Sequence, residues 1–496
     1  MDTNYNVKSE LNHKIPLLSS LKEYSEKDIS CFDVPGHVRD RGVEVLNNYF
    51  GNDLMKMDIN SSPFMDNVSN PYGIIKDAQD LLAKAYKAKN AFFVTNGTTG
   101  AIQAMLLSTV KPNDKILIPR NIHKSVINSL ILTGAEPVFI QPEFNEEYGI
   151  SMNIDYKKVE EILKEDKDIK ALFLLNPTYY GLTSDLENIV RVCHENDTLV
   201  LVDEAHGAHF PFNLDLPKSS MMCGADMAAV SIHKTGGALT QASVLLTNNN
   251  IDEKKVLQSI NMLQSTSASY LLMASIDGAR YNLEINGEKQ FSKALNLSRY
   301  TKSKLSKIDG IKILSKDILD DKGSYSIDET KICINVKDLN LTGFEVYELL
   351  YQEFKVQPEL GDLYNLLILI SIGTTKEDVD RLIKSLKIIA KVYRKKDKLQ
   401  KIDIRQINPE VKMTPRAAFY SDKLSLSLNE SIGEVSGESV MAYPPGIPIV
   451  APGEVITKDI IDYINTLKNN NAYLTDMEDK DLQNILVVNM EDKKCN

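Results

Sequence analysis

Between residues 72 and 250, short apolar runs alternate with segments whose apolar positions recur every three or four residues. The runs "AFFVT" (Ala91 to Thr95), "KILIPR", "EPVFIQP", "IKALFLLNP" and "TLVLVDEAHG" are each built on a short apolar stretch. Between them lie "GAIQAMLLSTV", "HKSVINSLILTG", "DYKKVEEILKED" and "DLENIVRVCHEND", which carry the helical period. Continuous apolar strands separated by amphipathic helices predict β-α units in a mostly parallel sheet covered on both faces, an α/β fold. Such sheets place ligand chemistry at the carboxyl ends of their strands, so the residues just after each run are the ones to inspect.

After Asn248 the pattern changes. A long helical region containing "SASYLLMASIDGARYNLEI" leads into a mixture from about 300 to 395, with "ICINVKDL" and "NLLILISIG" as expected strands. The charged stretch Val392 to Gln406 reads either as a domain joint or as a solvated helix end. In Met441 to Glu454, "MAYPPGIPIVAPGE", prolines and glycines predict a rigid turn path rather than a helix. The expected organisation is an N-terminal arm (1–70), a large domain (71–290), a smaller α/β domain (291–395) and a C-terminal domain (396–496).

Composition narrows the field. At 496 residues the chain exceeds one core and should divide into domains. Its formal net charge of -11 argues against a nucleic-acid partner, since neutralising phosphates needs a basic excess. Cys31, Cys193, Cys223, Cys333 and Cys495 are odd in number and widely spaced, which suggests neither a disulfide framework nor a metal site and makes a reducing cytoplasm the default. The opening residues lack the basic and apolar regions of a signal peptide, and no run of about 18 apolar residues is present, so neither export nor a membrane span is expected.

The strand ends carry the candidate chemistry. "TNGTTG" (Thr95 to Gly100) opens a helix; it either caps that helix or cradles an anion with Gly97, Thr98 and Thr99. "IPRNIHKS" puts His123 at the next strand end, as a cap or as a flat ring for another ring. The strand of "LVLVDEAHG" runs into Asp203, Glu204 and His206, and a carboxylate at the floor of a cleft needs a cation. "VSIHKTGGALTQAS" (Val230 to Ser243) ends an apolar run in His233 and Lys234. That lysine is either solvated in a loop or a nucleophilic amine suited to a Schiff base. An anion cradle, an imidazole, a buried acid and a lysine at successive strand ends together describe one ligand, pyridoxal 5'-phosphate.

The chain also resembles the pyridoxal-phosphate-dependent ornithine/lysine/arginine decarboxylases of fold type I. The resemblance rests on "FDVPGH" at 32–37, "NGTT" at 96–99, "RNIHKS" at 120–125, "DEAHGAHF" at 203–210, "SIHKTGGALTQAS" at 231–243, "QSTSASYLLMASID" at 264–277 and "AYPPGIPIVAPGE" at 442–454. It implies that Thr98, Thr99 and Ser231 bind the cofactor phosphate and that His123 stacks on the pyridine ring. Asp203 then pairs with the ring nitrogen, with His206 beside it, and Lys234 condenses with the aldehyde, with His233 next to it. Ser265 would reach the phosphate of a neighbouring subunit, implying a homodimer or higher homo-oligomer with shared active sites. In "VQPELGDLYNLL", Glu359 is the expected contact for the substrate's distal cation, and Asp362 is either a second contact or solvated. Two departures stand out: "VPGH" begins near residue 34, as in a short form without an N-terminal receiver-like domain, and "PGHVRDRG" lacks the lysine often found after the histidine.

The resemblance implies decarboxylation of a basic L-amino acid, with arginine to agmatine placed ahead of lysine to cadaverine and ornithine to putrescine. Lys234 or His233 would return the proton to Cα. The rival on the same fold is an aminotransferase, which normally grips the α-carboxylate with an arginine of the small domain. "NLLILISIGTT" offers none, leaving Arg416 in "MTPRAAF" as the exception.

Overall fold

The computed structural model describes residues 14–248, 250–320, 323–394, 407–443, 446–470 and 472–490. Residues 395–406 of the charged stretch, the 395/396 domain limit, the opening residues to 13, Pro444 and Pro445 of the proline-rich segment, and Cys495 lie outside them. The described chain divides into two compact units, one holding the residues up to Thr109 with Leu201–Gln290, the other Val110–Val200 with the residues from Phe291 onward. Among the described residues no helix is long and apolar enough to cross a membrane, and no disulfide joins the four described cysteines.

In the first unit the strands follow the order Asn90–Val94, Ser243–Thr247, Met227–Ser231, then Leu199–Asp203, which belongs to this unit from Leu201 onward. Leu199–Asp203 and Met227–Ser231 are parallel, with Leu201 opposite Met227 and Asp203 opposite Ala229. The other two pairings are antiparallel, bringing Ser243 level with both Ser231 and Val94. Met227–Ser231 and Ser243–Thr247 are buried at every position, as strands covered on both faces must be. The helix Gly97–Thr109 follows the first strand directly. It starts at a glycine because the backbone there takes φ +76°, which a side chain disfavours. A side chain at Gly100 would collide with the Asn96 side-chain amide.

The second unit holds three parallel strands in the order Ile169–Leu175, Lys115–Pro119, Glu136–Ile140. Its helices start on side-chain caps: His123 accepts from the Ser125 N–H ahead of Lys124–Thr133, and Asp155 and Asp185 do the same for Tyr156–Glu165 and Leu186–His194. A separate antiparallel sheet runs Lys312–Ile313, Lys331–Asn335, Asn365–Leu369, Leu360–Gly361, realising both strands expected in that region.

The proline-rich segment does more than turn. Val440–Tyr443 pairs antiparallel with Ile447–Val450 and with Tyr473–Thr475. Pro448 is tolerated because its strand lies at the sheet's edge. The helix Lys458–Asn469 presents Ile460, Ile461, Ile464 and Leu467 to this cluster.

A candidate active site beside Lys234

Lys234 sits one step beyond where the sequence placed it. The apolar strand ends at Ser231, and the chain turns at once into the short helix Ile232–Thr235 that carries the lysine. This helix stays tight because a side chain at Gly236 would meet the Ile232 carbonyl oxygen at 2.8 Å. The Lys234 amine Nζ lies 3.0 Å from Nε2 of His206, a fully buried ring. His233 points its Nδ1 at the Ala242 carbonyl, 3.1 Å away. A carbonyl only accepts, so Nδ1 carries the proton and Nε2 of the neutral ring is bare. Burial holds this imidazole below the usual histidine range, and the nearby Lys234 charge adds to the shift.

Asp203, 4% exposed, takes a hydrogen bond from the Ala205 N–H at 3.0 Å. Burial pushes its carboxyl up; the Lys234 charge and the Ala205 N–H hold it back. Burial outweighs the Lys234 charge and the Ala205 N–H, so this carboxylate gains from a further cation beside it.

The rest of "DEAHGAHF" fixes the floor of the site. Glu204 Oε1 accepts from the Ser220 N–H at 2.7 Å and the Ser220 hydroxyl at 2.9 Å. Its Oε2 is buried with no hydrogen-bond partner among the described residues. Burial pushes this carboxyl up to about 8, against the pull of Ser220, so it is largely protonated at neutral pH. His209 reaches the Thr235 hydroxyl at 3.1 Å, tying this loop to the helix of Lys234. The buried Tyr86 donates its hydroxyl hydrogen to the Ala208 carbonyl at 2.7 Å.

The anion cradle is assembled from three strand ends. The Thr98 hydroxyl bonds that of Ser231, and lies 3.0 Å from that of Ser243. Ser243 escaped sequence reasoning. Its only signal was its place at the end of the "TQAS" run, which antiparallel pairing sets beside Ser231. Thr98 is buried, whereas Thr99 is exposed. Among the described residues, no atom other than those of its chain neighbours and its own helix backbone lies within 4 Å of where a Gly97 side chain would project, so the backbone there is open to a ligand. Gln264 was also missed: its side chain accepts from the Thr95 N–H at 2.8 Å. That bond anchors the turn of Ser265, which is exposed and accepts from the Ser267 N–H at 3.1 Å.

Gly97, Thr98, Thr99, Asp203, His206, Ser231, His233, Lys234 and Ser265 thus all fall in the first unit. His123 and Glu359 belong to the second. There the His123 Nδ1 lies 2.9 Å from the Ser125 hydroxyl at its helix start. Glu359 is exposed, and its backbone N–H donates to the Leu367 carbonyl at 2.9 Å. Asp362, three residues on, is partly buried and heavily hydrogen-bonded. Arg416 is used elsewhere: its guanidinium donates to the Ile131 carbonyl at 2.7 Å and to that of Leu132, closing the end of Lys124–Thr133. This removes the one arginine that kept an aminotransferase grip in view.

A buried acid, an amine against an imidazole, and a cradle of hydroxyls and backbone at a helix start can hold a planar, phosphorylated, cationic aldehyde. The donor set therefore fits pyridoxal 5'-phosphate.

Comparison with known proteins agrees with this chemistry. A family model described as Orn/Lys/Arg decarboxylase, major domain, matches residues 15–378, and the model of that family's C-terminal domain matches 397–478. The arginine decarboxylase of Bacillus subtilis (strain 168) is 42% identical over 93% of this chain and 95% of its own length. That of Bacillus anthracis is 39% identical over 96% and 97%. Among solved structures, the lysine decarboxylase of Francisella novicida superposes with a TM-score of 0.84 at 23% identity, covering 98% of this chain and 83% of its own.

Proposed function

The chain belongs to the Orn/Lys/Arg decarboxylase family, and from that premise we propose that it holds pyridoxal 5'-phosphate at Lys234 and decarboxylates L-arginine to agmatine and CO2. The observation that carries the cofactor reading is the Lys234 amine 3.0 Å from His206 in the unit that also buries Asp203. The choice of arginine is supported by the 42% identity to an arginine decarboxylase. Lysine and ornithine follow as alternatives.

In this reading Lys234 holds the cofactor through its amine, Asp203 keeps the ring nitrogen protonated, and Gly97, Thr98, Thr99 and Ser231 take the phosphate. His206 positions the lysine amine. When bound, the cofactor supplies the electron sink for the bond to the α-carboxylate. His123 serves as the stacking ring and Glu359 as the distal cation contact. The proton delivered to Cα comes from Lys234 rather than His233, because the neutral His233 ring bears its hydrogen on Nδ1, already given to Ala242.

We further read the protein as a cytoplasmic homodimer in which Ser265 completes the partner's site. Exposed apolar side chains of the N-terminal arm, among them Phe32, Val34, Val45, Tyr49 and Phe64, support a partner surface there. The domain limits 1–70, 71–290, 291–395 and 396–496 are part of the same proposal, supported by one family model ending at 378 and the next starting at 397. Incubation with L-arginine tests the function: CO2 and agmatine in equal amounts are expected, and a 2-oxo acid in their place would overturn it.

A further inference from the structure

In the second unit the strand Lys115–Pro119 is joined to the helix Lys124–Thr133 by a short turn running from Arg120 to His123. Its first residues are tied to chain outside the turn. The Arg120 N–H donates to the Ile140 carbonyl at 3.2 Å, and the Asn121 side-chain amide donates to the Met152 carbonyl at 2.9 Å. Ile122 is buried, and His123 then caps the helix. Arg120 and Asn121 also border a cavity of about 190 Å³. On that side the turn is held less by side-chain packing than by its polar anchors.

The guanidinium of Arg120 makes the most distant of these anchors. Both its terminal nitrogens bond the carboxylate of Glu454, 334 residues along the chain. Its centre also lies 4.6 Å from the centre of the Phe139 ring, on the neighbouring strand Glu136–Ile140. A planar fork seated on a carboxylate and against a ring is held in one orientation. Glu454 is fixed in turn: its Oε2 accepts from the Ala451 N–H at 2.8 Å, and its backbone carbonyl accepts from the Ser436 N–H at 2.8 Å. Both side chains are buried, and burial pushes the Glu454 carboxyl up against the pull of Arg120. Apolar side chains of similar volume often give a fold as stable as such a pair does. What they do not supply is a fixed direction for the turn.

We propose that Arg120 and Glu454 are positioning residues, which fix the turn after Lys115–Pro119 and so set where the His123 ring stands in the working enzyme. The proposal rests on the reading of His123 as the ring that stacks on the cofactor, and deepens it by giving the "APGE" segment a part in catalysis. Neither residue of the pair touches the reacting atoms; both act through His123.

The test replaces the pair in the holoenzyme and reads kcat, KM for L-arginine, the visible circular dichroism of the bound cofactor and the thermal midpoint. Arg120→Met with Glu454→Leu is expected to keep the cofactor content and a midpoint closer to wild type than that of Glu454→Ala. Its kcat should fall at least about tenfold with KM within about threefold, and its dichroic signal should shrink, because that signal depends on how the ring is held. Arg120→Lys keeps the charge and gives up the fork; it should show the same losses, and serves alone if the double variant does not fold. In a His123→Ala background the same replacements should lower neither kcat nor the dichroism further, since both act through one ring. A folded pair variant with wild-type kcat and dichroism, or one whose losses persist in full beside His123→Ala, would overturn the proposal. Wild-type values in His123→Ala alone would overturn the stacking role and the proposal with it. The dichroism reads each outcome whether or not CO2 is the product.

Discussion

The Lys234 amine lies 3.0 Å from His206 Nε2. A partly buried amine hydrogen-bonded to an imidazole is held in one place, a condition for covalent attachment to a carbonyl. Borohydride treatment of the holoenzyme followed by peptide mapping should therefore find the cofactor mass on Lys234. Mass on another lysine would show that the wrong nucleophile has been named. His206→Ala should keep the attachment but slow its formation after removal and re-addition of the cofactor.

Asp203 is expected to keep the cofactor ring cationic. Asp203→Asn removes the charge and preserves the shape, so cofactor content should remain substantial while kcat falls about 10²- to 10⁴-fold, equivalent to ~3 to 5 kcal/mol at the transition state. Activity within threefold of wild type would exclude this role.

Glu204 gives a pH signature. Its folded-state carboxyl ionises near 8, above the ordinary glutamate value of 4.5, so the folded chain holds a proton that the unfolded chain has lost across that interval. Stability tied to this proton is complete below about 4.5 and is lost as pH rises through 8, by a few kcal/mol in all. Glu204→Gln cannot ionise. The difference in unfolding free energy between variant and wild type should therefore grow in the variant's favour from pH 5 to pH 8. A pH-independent difference would contradict the assignment.

Arg120 and Glu454 form a buried pair within the second unit, 8% and 2% exposed at the side chain. Glu454→Ala leaves a buried guanidinium and should cost about 3 to 5 kcal/mol. Replacing both, Arg120→Met with Glu454→Leu, should cost less than the single change. Denaturant midpoints measure both, and a single variant within 1 kcal/mol of wild type would show that water reaches the pair.

Burial made the strands legible in the sequence. "KILIPR" became Lys115–Pro119 and "IKALFLLNP" became Ile169–Leu175, whose buried positions are apolar while Lys170 stays exposed near the strand start. Asp203 and Lys234 were legible for the opposite reason: a charge at the end of such a strand has no place in a core. The cross-strand partners were hidden. Ser243 and Gln264 lie 145 and 169 residues from Thr98 and Thr95, which they bond, and no local pattern encodes antiparallel register at that distance. The short helix that carries Lys234 was hidden as well, since four residues are too few for a helical period. The sequence left Asp362 either a second substrate contact or solvated; the fold leaves it partly buried and bonds it to Tyr180 and Asn365, partners that no local pattern names.

The most direct test of the account is the comparison of kcat/KM for L-arginine, L-lysine and L-ornithine by release of CO2 from the holoenzyme. Arginine is expected to lead by at least tenfold, about 1.4 kcal/mol at the transition state. A tenfold lead for lysine or ornithine would contradict the arginine assignment, and no CO2 from any of the three would contradict the decarboxylation itself.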